Sequence, residues 1–275
     1  MEKILEIIAD GNELPCSLKC FLYSHGLSVT LVKKAKRGGI FLNGTAVTVR
    51  ANVSVGDKIE IYLNEEKSEG IPPLDIPLKI LYEDDDILAV DKPTNMPTHP
   101  SRGNSLPTLA NAVMGYYGGD FVFRSVNRLD RDTSGIVIIA KNQISASKLS
   151  SSMKAGLWTK KYHAIIDGNP ALDEGRIDAP IERIAEGNIK REVRPDGKRA
   201  ITDYRVIERN DGYSLCELRL LTGRTHQIRV HMAYIGHPLR SDFLYGTKSE
   251  AEYYLRCVEI SFPHPVSGKT LVIKA

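Results

Sequence analysis

The sequence lacks any run approaching 18 consecutive apolar residues, the length that a membrane-spanning helix needs. Its first ten residues, Met1 to Asp10, carry charges within their only apolar run, so they do not form the uncharged core of a secretory signal peptide. The sequence therefore supports neither a membrane span nor a signal peptide. We expect a cytoplasmic protein.

The sequence also lacks the motifs that hold common cofactors. It has neither a P-loop nor a dinucleotide-binding fingerprint. Its four cysteines are scattered, and the nearest pair, Cys16 and Cys20, has no second cysteine pair or histidine pair beside it. A zinc site is therefore disfavoured, and reduced, mostly structural thiols are expected. Apolar residues make up 42% of the chain and charged residues 26%, which is typical of a globular domain.

Basic residues are concentrated in one part of a nearly neutral chain. The net charge is only +3 at pH 7, which does not by itself indicate a nucleic-acid partner. Between Leu14 and Lys58, however, seven lysines and arginines accompany a single acidic residue, Asp57. A local basic patch of this kind is typical of a surface that binds phosphates.

The same region is predicted to form a small separate domain at 13–63. Apolar residues at helical spacing and a capping serine, Ser28, predict two helices. The Asn43-Gly44 turn and the alternating run that ends at residue 63 predict a small hairpin. The polar stretch at 64–75, N-E-E-K-S-E-G-I-P-P-L-D, is predicted to be a linker.

Residues 76–275 are predicted to form one α+β domain. Strands follow each other without regular intervening helices, which favours a mixed, mainly antiparallel sheet over a doubly wound parallel one. The predicted strands are Ile87–Val90, Ile136–Ala140, Tyr162–Asp167, Ile201–Ile207 and Tyr213–Leu221, and a helix is predicted from His226 to Ile235.

The stretch from Val126 to Lys141, V-N-R-L-D-R-D-T-S-G-I-V-I-I-A-K, is the strongest candidate for a site of chemistry. It places Asp130 between two arginines, ahead of a Thr-Ser-Gly turn and an apolar run typical of a buried strand. A carboxylate costs free energy to desolvate unless it is paired, and the arginines indicate an anionic partner. If the segment is extended, Arg128, Asp130 and Asp132 lie on one face.

Three chemistries fit these residues. Two carboxylates can hydrolyse a glycoside, one as acid and one as nucleophile. The same pair can hold a divalent metal for phosphate-ester cleavage. Alternatively, one aspartate acts as a nucleophile while the other charges hold the substrate. A surface ladder of arginine and aspartate is the non-catalytic alternative, which would not need a tight polar turn at its end.

Two further features lie downstream. The stretch Leu221–Met232, L-T-G-R-T-H-Q-I-R-V-H-M, begins a helix, and the spacing of His226 and His231 does not suit a metal pair. Arg229, in the first turns of that helix, can reach a carboxylate and favour its ionised form. Tyr162 lies on a predicted strand, where a tyrosine is either a core residue or, beside a pocket, a stacking surface or proton acceptor.

Together these motifs resemble those of the RluA-type family of pseudouridine synthases. R-L-D-R-D-T-S-G is preceded by D-D-D-I-L-A-V-D-K-P and T-H-P. It is followed by K-x-Y-x-A-x-x-x-G, by L-x-T-G-R-T-H-Q-I-R-V-H-M and by G-H-P-L-x-x-D-x-L-Y-G. The motifs run from Asp84 to Gly246 in the family's order, which is more specific than any single motif. The segment at 13–63 is similar to an S4 RNA-binding domain.

The resemblance implies roles for individual residues. Asp130 falls on the catalytic aspartate, which attacks the uridine during isomerisation. Tyr162 falls on the tyrosine that stacks on the base and takes the C5 proton, and Arg229 falls on the arginine that pairs with the aspartate. Arg128 falls on the residue that fills the space left by the flipped nucleotide. Asn127 stands where most members have histidine, a position near the RNA.

The resemblance also implies a partner and a reaction. The enzyme would isomerise specific uridines in structured RNA, with ribosomal RNA favoured over transfer RNA, as a monomer without guide RNA. The reaction conserves every atom, so no cofactor or metal is expected. A hydrolase that uses Asp130 and Asp132 and a non-catalytic RNA-binding module remain as alternatives. We further expect substrate contacts from Thr133, Arg224 and His226, and RNA contacts from Lys33, Lys34, Lys36 and Arg37.

Overall fold

The structure is a computed structural model that describes residues 2–64, 70–100, 107–247 and 252–275. Its N-terminal part is a small α/β domain with two short helices and a four-stranded sheet in the order β1-β6-β3-β4. The helices are α1 (Leu18–Ser24) and α2 (Val29–Ala35). The strands of this sheet are β1 (Glu2–Ile8), β3 (Ile40–Leu42), β4 (Thr45–Ala46) and β6 (Lys58–Leu63), and β2 (Cys16–Ser17) and β5 (Asn52–Val53) form a separate pair.

The larger part is built on a nine-stranded sheet with one short separate hairpin. The strands of the sheet are β7 (Lys79–Glu83), β8 (Ile87–Lys92), β9 (Ser134–Ala140), β10 (Thr159–Asp167), β11 (Glu174–Asp178), β14 (Ile201–Asn210), β15 (Tyr213–Leu220), β16 (Leu255–Pro263) and β17 (Thr270–Lys274). The hairpin joins β12 (Ile181–Arg183) and β13 (Arg191–Val193). The helices are α3 (Leu109–Tyr116), α4 (Gln143–Lys154) and α5 (Gln227–Tyr234).

The large sheet is mixed and mainly antiparallel, which confirms the predicted fold class. Its order is β11-β14-β15-β10-β16-β9-β8-β7, with β17 paired to β16. All of its pairings are antiparallel except β9 with β16, which run parallel. Each predicted strand overlaps an observed one, and α5 occupies the predicted helix. Strand β9 is buried from Gly135 to Ala140 at the centre of the core, as its continuous apolar sequence predicts.

Local sequence signals explain the small domain. Ser28 accepts a hydrogen bond from the backbone N–H of Leu31 and so caps α2, as predicted. Asn43 and Gly44 both have positive φ and join β3 to β4 in a tight hairpin. In β6 every second residue is buried, which matches its alternating sequence.

The small domain begins earlier than predicted. Strand β1 pairs antiparallel with β6 along its whole length, so the sheet starts at Glu2 and the boundary at 13 was too late. The charged residues of β1 interrupt its apolar sequence, so the strand was not predicted. In the structure Glu6 forms ion pairs with Lys3 and Lys58 on the exposed face. Part of the predicted linker, 65–69, lies outside the described residues. Leu74 donates its backbone N–H to the carbonyl of Asn111 in α3.

The small domain packs on helix α4 of the larger part. Ile144 of α4 belongs to the hydrophobic core of the small domain. The backbone N–H of Ser28, the cap of α2, donates to Ser147 Oγ at 2.6 Å. The described helices have at most 12 residues, and no helix within the described ranges is long and apolar enough to cross a membrane.

Candidate active site

One large cleft opens on the face of the sheet where the predicted residues meet. It has a volume of about 1270 Å³. Its walls come from the loop before β9, from strands β10 and β15, and from the start of α5. The site residues that line it are Asn127, Arg128, Asp130, Thr133, Tyr162, Arg224, His226 and Arg229. The structure thus brings together residues up to a hundred positions apart in the sequence.

Asp130 lies at the end of an irregular loop, not on a strand. Its carbonyl accepts a hydrogen bond from Thr133 N, which closes a turn at Arg131 and Asp132. The segment is therefore not extended, and the condition for Arg128, Asp130 and Asp132 to share one face is not met. The Asp132 carboxylate is instead bound by the guanidinium of Arg131 at 2.9 and 3.1 Å. Asp130 has about 36% of its side chain exposed to the cleft.

A buried lysine supports this loop from below. Lys92 is fully buried, and its Nζ donates to the carbonyls of Pro93, Met96 and Arg131 at 2.7–3.1 Å. Burial lowers the pKa of Lys92 to about 8, against the opposing charges of Asp132 and Asp130. With three donors matched to three carbonyls, Lys92 ties the loop that carries Asp130 to the end of β8. The sequence shows this lysine within the D-K-P motif but does not predict its supporting role.

Arg229 faces Asp130 but is held by another aspartate. Its Nε and Nη2 donate to the two carboxylate oxygens of Asp242 at 2.7 and 2.6 Å, and both side chains are buried. Its Nη1 lies 4.0 Å from Asp130 Oδ2. Burial alone would lower the pKa of Arg229, but the Asp242 carboxylate raises it well above its usual value. Arg229 is therefore a fixed positive charge beside Asp130.

Asp242 is a site residue that sequence reasoning missed. Besides binding Arg229, its carboxylate accepts the backbone N–H groups of Leu244 and Tyr245. It therefore fixes both the arginine and the following loop. The only signal in the sequence was its position in the quoted G-H-P-L-x-x-D-x-L-Y-G motif.

Aromatic rings surround the Arg229 guanidinium. Its Cζ lies 5.1 Å from the ring centroids of Phe243 and Tyr245 and 5.8 Å from that of Tyr253. A cation above such rings is stabilised by their negative faces.

Tyr162 lines the cleft from strand β10. Beside it, the pairing of β10 with β16 shifts register, because β16 has one extra residue between the partners of Lys161 and Tyr162, Glu259 and Cys257. Burial raises the pKa of Tyr162 well above its usual value, and the Cys257 thiol and the charge of Asp130 add to this effect. The phenol is thus held neutral. A neutral ring beside the carboxylate suits stacking on a base better than proton abstraction.

The other predicted contacts occupy different positions around the cleft. Arg128 and Arg224 are exposed at its edge, and Arg224 Nε donates to the carbonyl of Arg199. Thr133 is buried beside Tyr253. His226 Nε2 lies 3.8 Å from Asp130 Oδ2, so its ring faces the carboxylate directly.

Asn127 lines the cleft and is also bonded to the backbone of β9. Its side chain is buried, Nδ2 donates to the carbonyl of Ile136, and Oδ1 accepts the backbone N–H of Ile138. Both polar groups are thus used to join the loop to β9. The Asn127 amide therefore holds the loop in place, and a contact between Asn127 and substrate stays a prediction.

The basic residues of the small domain lie outside the cleft. Lys33, Lys34, Lys36 and Arg37 are exposed at the C-terminal end of α2, and none of them lines the cavity. The structure therefore separates this basic group from the carboxylate. Contact with both requires a partner that extends beyond a single nucleotide.

One group of side chains within the described ranges has metal-ligand geometry, namely Asp84, Asp86 and His264. Protein donors already occupy its oxygens. Asp84 Oδ2 accepts from Tyr82 and lies 2.9 Å from His264 Nε2, while Asp86 Oδ1 accepts from Asn142 and Ser145. The group links three elements of the fold and does not line the cleft.

Comparison with known proteins agrees with the sheet and the site. The sequence profile described as "RNA pseudouridylate synthase" matches residues 86–234, which include Asp130, Tyr162 and Arg229. A relative in Bacillus subtilis (strain 168), the uncharacterized RNA pseudouridine synthase YjbO, is 41% identical, with 90% of each chain covered. The ribosomal large subunit pseudouridine synthase D of Haemophilus ducreyi (strain 35000HP) is 38% identical over 84% of this chain and 77% of that protein.

Solved structures have the same fold. Human RNA pseudouridylate synthase domain containing 1 superposes with a TM-score of 0.63 at 26% identity, with coverage of 74% of this chain and 85% of that one. The fold and the cleft thus define an RNA pseudouridine synthase, an isomerase that converts uridine in RNA to pseudouridine. The chain belongs to the RluA-type family of these enzymes.

Proposed function

We propose that this enzyme isomerises uridine in ribosomal RNA, with Asp130 as the nucleophile, Arg229 as its fixed counter-charge and Tyr162 as the surface on which the base stacks. The observation that carries the proposal is the convergence of these three side chains on one cleft, with Arg229 Nη1 4.0 Å from the Asp130 carboxylate. The second carboxylate of the loop, Asp132, is paired with Arg131.

The reaction breaks the N1–C1′ bond of uridine, rotates the uracil and joins C5 to C1′. A uridine in structured RNA must first leave its stack, which costs a few kcal/mol. Arg128, exposed at the edge of the cleft, offsets part of this cost by occupying the space that the nucleotide leaves. Thr133, Arg224 and His226 complete the proposed set of substrate contacts. The flat, neutral ring of Tyr162 supports the base once it is extruded.

Ribosomal RNA is proposed as the substrate because of the relatives. Several of those that match over most of this chain are named ribosomal large subunit pseudouridine synthase D, including those of Haemophilus ducreyi and Pasteurella multocida (strain Pm70). Transfer RNA is the alternative substrate of the same reaction. Mapping of pseudouridine in total RNA with and without the protein would name the target. A site lost only in transfer RNA would reject the ribosomal assignment.

The small domain is proposed to act as an S4-like RNA-binding domain. Its two capped helices pack on a small sheet, and the end of α2 presents the exposed group Lys33, Lys34, Lys36 and Arg37. Because α2 is anchored through Ser28 to α4, RNA bound there would stay in register with the cleft. The enzyme is further proposed to act as a monomer and without guide RNA.

Replacement of Asp130 by asparagine tests the proposal. Isomerisation removes the hydrogen at C5, so tritium release from a large-subunit ribosomal RNA transcript labelled with [5-³H]uridine measures it. We expect Asp130→Asn to abolish release while RNA binding stays within a few-fold. The neighbouring Asp132→Asn is the control and should keep activity within a few-fold. Full activity of Asp130→Asn would reject the assignment of Asp130 as the nucleophile. Release of free uracil would indicate a hydrolase.

A further inference from the structure

His226 adopts a backbone conformation that its local structure does not explain. It occupies the N-cap position of α5, yet its side chain makes no capping hydrogen bond. Its φ is 57°, in the left-handed region that asparagine and glycine tolerate better than histidine. Non-glycine residues in this conformation concentrate at functional sites, because the surrounding structure must hold them there. The conformation aims the imidazole at Asp130.

A tyrosine fixes the opposite side of the imidazole. His226 Nδ1 lies 2.8 Å from Tyr245 Oη. The same Oη accepts the backbone N–H of Arg191, from strand β13, at 2.8 Å. The phenol has a single proton, and among the described residues Nδ1 is the acceptor within reach of it. Tyr245 therefore donates to Nδ1, since the reverse arrangement would leave a half-buried hydroxyl proton without an acceptor.

The protonation state of the His226 ring follows from these hydrogen bonds. A neutral imidazole that accepts at Nδ1 carries its proton on Nε2. Burial lowers the pKa of His226, and Asp130 only partly opposes this, so the ring is neutral at pH 7. Burial also raises the pKa of Tyr245, which keeps its donating proton in place. The Nε2–H group thus faces the Asp130 carboxylate.

The distance to Asp130 leaves this donor free for a substrate. At 3.8 Å, Nε2 and Asp130 Oδ2 are too far apart for a hydrogen bond. When the N1–C1′ bond breaks, its electron pair remains with the uracil, so negative charge spreads to the carbonyl oxygens of the base. A fixed neutral donor beside the reacting carbon stabilises such charge without having to reorganise.

We propose that His226 is a catalytic residue, a neutral Nε2–H donor to a carbonyl oxygen of the detached uracil, and that Tyr245 is the positioning residue that selects its tautomer. The proposal rests on the proposed role of Asp130 as the reaction centre. It assigns a function to the hydrogen bonds that link Arg191, Tyr245 and His226. The proposed roles of Asp130, Arg229 and Tyr162 do not involve these bonds.

Two substitutions of His226 separate its two nitrogens. Asparagine tolerates the left-handed backbone and places a polar group where Nδ1 lies, but it has nothing at the position of Nε2. Glutamine reaches the position of Nε2 with an amide N–H. In single-turnover tritium release from the labelled ribosomal transcript, we expect His226→Asn to slow the reaction about 100-fold or more. His226→Gln should stay within about tenfold of the unsubstituted enzyme.

Binding and folding are measured on the same proteins. We expect the Kd for the transcript and the midpoint of urea unfolding to change little in either variant. A rate for His226→Asn close to that of the unsubstituted enzyme would overturn the proposal. So would equal losses in His226→Asn and His226→Gln when both proteins are folded, because the donor at Nε2 would then not matter.

The tautomer supplies a readout that does not depend on activity. In the full chain labelled with ¹⁵N-histidine, long-range ¹H–¹⁵N spectra should show His226 protonated at Nε2 and unprotonated at Nδ1. Tyr245→Phe should shift this balance towards Nδ1–H and slow tritium release several-fold with little change in KM. A proton on Nδ1 in the unsubstituted enzyme would overturn the proposal.

Asp130→Asn in the same assay separates the two proposals. If Asp130→Asn is fully active, the proposed reaction centre is wrong. If Asp130→Asn is inactive but His226→Asn is unaffected, only the role of His226 is wrong.

Discussion

Arg229 and Asp242 form a buried ion pair in which two guanidinium nitrogens meet the two carboxylate oxygens at 2.7 and 2.6 Å. The third nitrogen of Arg229 is 4.0 Å from Asp130. The arginine is thus fixed on its buried side by one aspartate and presents its charge to another at the cleft. The Arg229 guanidinium therefore cannot turn away from the cleft if its contact with the Asp130 carboxylate changes during the reaction.

The first prediction is that Asp242→Asn destabilises the protein by about 4 kcal/mol, because removing one partner leaves the other charge buried and unpaired. The midpoint of urea unfolding measures this. The control is Asp203→Asn, which breaks a similarly forked pair with Arg176 at 2.7 and 3.0 Å on the exposed surface. That change should cost less than about 1 kcal/mol. Equal losses in the two variants would contradict the importance of burial.

The second prediction concerns stability below neutral pH. Burial lowers the pKa of His99, His163, His226 and His231. Between these folded-state values and the unfolded value of about 6.5, the unfolded chain binds more protons, so stability falls as the pH falls. We expect the urea midpoint to decrease from pH 7 to pH 5. A midpoint that stays constant or rises over this range would be inconsistent with neutral buried histidines.

Carboxylates do not produce the same effect in that pH range. Although burial opposes it, hydrogen bonds lower the pKa of Asp84 and Asp91. Their stabilising contribution is present above the unfolded value of about 4 and is lost only as the pH falls further. The loss of stability between pH 7 and pH 5 therefore reports the histidines. His163→Gln, on a partly exposed ring, should make the decrease shallower while leaving the cleft intact.

The third prediction tests the basic group on α2. Replacing Lys33, Lys34, Lys36 and Arg37 together by alanine should weaken binding of the ribosomal transcript and reduce the slope of log K against log salt by about 3, because each phosphate contact contributes roughly 0.7 to 0.9. The rate of tritium release at saturating enzyme should change little. The control replaces two exposed lysines outside the cleft, Lys269 and Lys274. An unchanged salt slope in the α2 variant would reject the RNA contact.

The periodicity of the sequence predicted five of the nine strands of the large sheet. Apolar runs and alternation give the positions of β8, β9, β10, β14 and β15, because the side chains of a strand alternate between core and surface. The same reasoning failed for β1, whose charges lie on the exposed face of the small sheet and are paired across it.

The sequence predicted only part of the site. Asp130, Tyr162, His226 and Arg229 lie in long motifs, and the structure brings them to one cleft. The residues that fix these side chains in position were not predictable, because their roles depend on hydrogen bonds that form only in the folded protein. Asn127 turns inward since the backbone of β9 offers it a donor and an acceptor, and Lys92 is used by three carbonyls from two separate loops.

The last prediction concerns the glycine that follows the catalytic loop. Gly135 has a φ of +108°, and a Cβ built there would lie 2.2 Å from the carbonyl oxygen of Cys257, where β9 and β16 run parallel. Gly135→Ala must therefore separate two central strands next to Tyr162, which pairs with Cys257. The matched control is Gly11→Ala, since Gly11 has a φ of +110° but no atom near the added Cβ.

Both substitutions strain the backbone alike, at a cost of about 1 to 3 kcal/mol, so the difference between them isolates the steric clash. We expect Gly11→Ala to fold and keep its activity, and Gly135→Ala to lose several kcal/mol more, enough to unfold a protein of ordinary stability. Thermal and urea unfolding measure the difference. If both variants were equally stable, the close approach of β9 and β16 would not be what requires glycine at 135.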